Sequence, residues 1–86
     1  MDALQHATPG KLKFLHTELA TARAFLDIAE TAGEERAVYR NVQNAETSIT
    51  AIHQALAARD IDPAHALEIR TAAEILSGRL HQLVAR

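Results

Sequence analysis

An all-α fold, an antiparallel up-down-up bundle of three helices, is what this sequence predicts, and three observations predict it. Apolar residues recur at alternating intervals of three and four through three separate runs. Proline or glycine stands at the breaks between them. Alanine and leucine are abundant, whereas glycine numbers three and proline two, a composition that favours long helices over strands. At 86 residues the chain is expected to form one domain, small enough that its surface is large relative to its core.

The first run is Leu12, Leu15, Leu19, Ala22, Leu26 and Ala29. Val38, Val42, Ala45, Ile49, Ile52 and Leu56 form the second, and Ala66, Ile69, Ala73, Leu76, Leu80 and Leu83 the third. Each is a heptad seam, the pattern that lets one helix lie nearly parallel or antiparallel to another. Thr8 before Pro9, and Asp62 before Pro63, read as N-caps followed by proline at the first helical position, where the missing N–H has no intrahelical partner anyway. Between the first two helices, Gly33 can close one helix in a left-handed turn, while Thr31 and Glu34 have the spacing of a capping box for the next. The helices are therefore predicted over about residues 9–32, 35–58 and 63–85, with residues 1–7 a loose tail whose Leu4 could tuck against the bundle end, and 8–86 the single domain. Helices of about 24 residues are roughly 36 Å long, and matched lengths with short loops imply the up-down-up arrangement.

Some apolar bulk stands off the seams. On a wheel of 100° per residue, Phe14, Phe25 and Ala32 form a second stripe on the first helix about 80 to 100° from its seam, with Ile28 further round. A helix with two neighbours needs a wide apolar arc, so this stripe is either the edge of the core or a contact surface for another chain. Ile28 is the hardest of the set to bury within one chain. Leu67 is a similar anomaly, on the far side of the third helix from Leu76, Leu80 and Leu83.

The polar residues exclude more than they suggest. Without cysteine there is no disulfide, thiolate metal site or cysteine nucleophile. Nine Lys and Arg are scattered among eleven acids at a formal net charge of -2, which argues against nucleic acid as a partner. No secretory leader or long apolar run is evident, so no membrane association is expected and the cytoplasm is the expected location. Helical metal sites need ligands at i and i+3 or i+4, and no Glu-x-x-His unit or His pair has that spacing. His65 and Glu68 are three apart, but at a helix start, where Glu68 complements the dipole. No metal, cofactor or small-molecule substrate is expected. The absence of a phosphate-binding loop, a nucleophile triad or a carboxylate pair argues against an enzyme. Asn41 flanks the second seam and is either a buried residue that fixes register or an exposed one. Arg23 with Asp27, and Arg70 with Glu74, have i, i+4 spacing for surface ion pairs.

His16, in "FLHTEL", bears a faint likeness to the phosphoacceptor histidine of sensor histidine kinases. Threonine separates it from Glu18, however, and the Arg-Thr-Pro element of those proteins is missing. More broadly, "FLHTELATARAFLDIAE" followed by "RNVQNAETSITAIHQAL" resembles a set of short bacterial helical proteins with no assigned activity. The resemblance covers roughly Phe14 to Leu56 and rests on His16, Glu18, Leu19, Arg40, Asn41, Asn44 and Ala45. It fails after Ala45, where those proteins carry a tyrosine-containing basic segment and this chain has "ETSITA". It implies a bacterial origin and no mechanism. The layout is also similar to the microtubule-interacting and transport domain, by analogy of architecture alone.

The expectation that follows is a non-enzymatic helical interaction module whose contact residues are Phe14, Phe25, Ile28 and Leu67, with a second copy or another helical protein as partner. The alternative is a phosphotransfer protein using His16.

Overall fold

The computed structural model describes the backbone of residues 3–85 and the side chains of residues 10–85. It is an all-α three-helix bundle: α1 spans Ala3–Thr31, α2 spans Glu35–Ala57 and α3 spans Pro63–Val84. All three helices pack on one another. α1 and α3 run parallel, since Lys11 meets Asp60 just ahead of α3 and Arg79 near the end of α3 meets Glu30 near the end of α1. The hairpin from α1 to α2 is antiparallel.

The three seams form the core. Fifteen of their eighteen residues are buried, and the remaining Leu12, Val38 and Ala66, each the first of its run, are half-buried against the same cluster. Heptad spacing brings each of these side chains to one line on its helix, so three such lines close around one axis. Two residues outside the seams are also buried. Ile61, in the loop between α2 and α3, seals one end of the core, and Ser48 lies on a flank of α2.

The punctuation departs from expectation at three points. α1 does not begin at Thr8. Its helical backbone starts at Ala3 and runs through Pro9, so Ala3 to Ala7 are helical where a loose tail was expected. Proline's fixed φ is itself helical, and at the seventh position of α1, past the first turn, its missing N–H forfeits one i→i−4 bond. Met1, Asp2, the Leu4 side chain and Arg86 lie outside the described residues. Thr31 does not cap α2 either: as the last residue of α1 its hydroxyl donates back to the Asp27 and Ile28 carbonyls at 3.2 and 3.3 Å, and Glu34 is an N-cap without a side-chain bond. Gly33 does not adopt a positive φ. The left-handed residue is Arg59, at φ 57°, which ends α2 by donating its N–H to the Leu56 carbonyl at 3.1 Å.

Asp62 and Pro63 do start α3 as expected, with the Asp62 carboxylate accepting from the His65 N–H at 3.4 Å and engaging the His65 ring as well. A non-glycine residue in the left-handed region carries a penalty of about 1–2 kcal/mol, partly balanced by the freedom glycine would lose on folding. Arg59→Gly is accordingly expected to stabilise the protein by about 0.5–1 kcal/mol, a rise in Tm of roughly 2–6 °C by circular dichroism.

Candidate interaction surface

Two ion-pair clusters fix how the helices flank one another. Arg79 donates from Nε and Nη2 to the two Glu30 oxygens at 3.1 and 2.9 Å, and from Nη2 to Asp27 Oδ1 at 2.7 Å. These carboxylates raise the Arg79 pKa further above its ordinary value, Glu30 contributing most. Asp27 therefore serves α3 instead of Arg23, and neither Arg23–Asp27 nor Arg70–Glu74 is among the ion pairs of the described residues. Lys11, half-buried, donates to Asp60 at the opposite end.

The Asp60 carboxyl is held below its usual range by the hydrogen bond from Lys11, and that of Asp62 by the hydrogen bond with His65. A depressed carboxyl pKa contributes stability that is fully present above the unfolded value near 3.8 and is lost as pH falls through the lower folded value. Thermal melts are expected to show Tm constant from about pH 7 to 5 and falling below about pH 4. Asp60→Asn with Asp62→Asn should flatten part of that fall.

The Arg79 contacts place α3 on one flank of α1. Taking Leu15 as the core direction and 100° per residue, Glu30 and Asp27 lie about 60° and 120° to one side, toward α3. Phe25, Phe14 and Ile28 lie about 80°, 100° and 140° to the other. On α2, Glu46, Ile49 and Thr50 line a cleft with Ser77, Leu80 and His81 of α3, so the opposite flank of α2, bearing Asn44, Ser48 and Ala55, is turned away from α3. The surface away from α3 thus combines the phenylalanine flank of α1 with a flank of α2 on which Asn44 is exposed, Ala55 half-buried and Ser48 buried.

Exposure on this face is graded. Phe14 is 45% and Ile28 50% exposed, while Phe25 is half-buried and packs against the core cluster. Leu67 is 61% exposed but belongs to α3, behind this face, so it does not join the other three. Further large apolar side chains are exposed elsewhere: Ile75 on α3, and Tyr39 and Val84, which line an open groove with Val38, Val42 and Leu83 between the start of α2 and the end of α3. All three stand off the seams, the same signal that marked Phe14 and Ile28.

The polar candidates are placed as follows. His16 is exposed and has no hydrogen-bond partner among the described residues. Asn41 is half-buried, and its Nδ2 donates to the Ala37 carbonyl at 2.8 Å, a bond within α2 that fixes no register between helices. His65 engages Asp62 in place of Glu68. Among the described residues no helix is long and apolar enough to cross a membrane.

The chain matches no protein-family model, no curated protein and no solved structure.

Proposed function

We propose that this chain is a non-enzymatic, cytoplasmic helical interaction module of bacterial origin, and that it self-associates through the flank of α1 that carries Phe14, Phe25 and Ile28. The observation behind this reading is the exposure of Phe14 and Ile28 on one flank of a helix whose other flank is already committed to α3. Phe14 and Ile28, exposed beside a Phe25 that packs against the core cluster, offer apolar surface against which a further helix can pack. The reading of His16 as a phosphoacceptor draws on its exposure alone, and no acidic or amide side chain supports its ring among the described residues.

Phe14→Glu and Ile28→Glu test the proposal, because both side chains are half in solvent and their loss leaves the core cluster intact. Each is expected to retain the helical spectrum, to shift Tm by only a few degrees and to weaken self-association at least about tenfold. Association unchanged in both variants would mean that this flank is not the contact surface. Wholesale unfolding of both would make it part of the core.

A further inference from the structure

We infer that the open groove between the start of α2 and the end of α3 is a second docking surface, and that its occupant is an amphipathic helix of another protein with a basic residue at each end of a short apolar stripe. The groove lies on a different face from the α1 flank, and its occupant does not depend on self-association.

The groove has a floor as well as walls. Val42 and Leu83, buried members of the core, form the floor. Tyr39 and Val84, 63% and 65% exposed, rise on the α2 and α3 sides. The Tyr39 hydroxyl accepts from Gln43 Nε2 at 2.9 Å, a bond along α2 that favours one setting of the ring. Exposed apolar side chains that stand over a shared apolar floor form a continuous patch, whereas Leu67 and Ile75 on α3 line none of it.

Its shape suits a helix. Glu35 and Glu46 stand at the two ends of the α2 side, eleven residues and about 16 Å apart along the axis. Val38, Tyr39 and Val42 fill the stripe between them at three- and four-residue spacing. A small apolar molecule in a trough open along its outer side would stay largely in solvent. Three turns of a helix cover the trough from end to end.

Charge selects the kind of helix. Glu35 and Glu46 are exposed, and among the described residues the lining holds no basic side chain. α3 ends in the groove, so the negative end of its dipole adds to the two carboxylates. The dipole at the start of α2 is positive, but Glu34 and Glu35 both stand there. With Ile49 as the core direction, Glu35 and Glu46 lie about 40° and 60° round α2 toward α3, whereas Arg36 and Arg40 lie about 140° and 180° round and face outward. His81 shares the adjoining cleft with Glu46. An apolar stripe between two carboxylates selects an apolar stripe between two cations and disfavours an acidic peptide.

Tyr39 is the single tyrosine of a chain without tryptophan, so its fluorescence reports on this groove. The test is titration with a capped eighteen-residue alanine–glutamine helix that carries two lysines eleven positions apart and four leucines on the stripe between them, beside a second peptide with glutamates in place of the lysines. The wild type is expected to bind the lysine peptide with a Kd of about 10–100 µM, seen as a saturable change in Tyr39 emission, and the glutamate peptide at least about tenfold more weakly. Glu35→Lys combined with Glu46→Lys should reverse that preference. Glu68→Lys combined with Glu74→Lys makes the same change in net charge at exposed positions of α3 and should leave the affinity within about threefold, as should Phe14→Glu on the α1 flank. No saturable change in the wild type, or equal affinity for the two peptides, overturns the proposal. So does a loss in the Glu68 and Glu74 variant as large as that in the Glu35 and Glu46 variant, which would reduce binding to general attraction between unlike charges. Loss of binding in Phe14→Glu would seat the peptide on the α1 flank and overturn it as well.

Discussion

Ile52→Ala is expected to destabilise the protein by about 3 kcal/mol and to lower Tm by more than about 12 °C. Ile52 is completely buried in the core cluster to which all three helices contribute, and its truncation removes the transfer free energy of the lost carbons and leaves a cavity that rigid helices fill only in part. In a domain this small, whose total stability is expected to be on the order of 4–13 kcal/mol, that loss is a large share of the whole. Ile75→Ala removes the same atoms from a side chain that is 62% exposed and should change stability by less than about 0.5 kcal/mol. Paired urea titrations of the two variants separate the cases. Equal effects would mean that Ile52 is not held as described.

Ala22→Leu is expected to destabilise by about 2 kcal/mol or more although it makes the core more apolar. Ala22 and Ala45 are both fully buried and stand at nearly the same height on α1 and α2. Small side chains at that level let the two backbones approach closely, and a leucine there must either push the helices apart or adopt a strained rotamer. Separation would also loosen Leu19 and Leu26, one turn to either side. The urea midpoint is the readout. A gain in stability would show that space exists between α1 and α2 where close packing is described.

The difference between these two expectations was legible in the sequence only in part. The seams could be read because burial repeats every seven residues along a helix, and every seam position is in the core or against it. Ile61 could not be found in this way, since it lies in a loop between two aspartates where no period applies. Capping signals were less informative: Asp62 acts as read, but Thr8, Thr31 and Gly33 do not, because several residue types satisfy a helix end and local preference is too weak to choose among them. Arg59 adopts the left-handed conformation without the glycine that would have announced it.

The candidate surface shows a similar division. Phe14, Phe25 and Ile28 stood out as bulk beside the seam, and the structure groups them on one flank. Leu67 stood out for the same reason, yet a wheel drawn for one helix carries no information about which neighbour lies on which side. That information came from Arg79, whose partners Asp27 and Glu30 are some fifty residues away in sequence.

Self-association is the claim on which the functional account stands, and the mass of the wild-type protein in solution tests it most directly. Size-exclusion chromatography with light scattering across a concentration series from about one to several hundred micromolar spans the dissociation constant expected of a small interface. The account predicts a mass that rises from one chain of 9.4 kDa toward two as concentration increases. A mass of one chain at every concentration would contradict it.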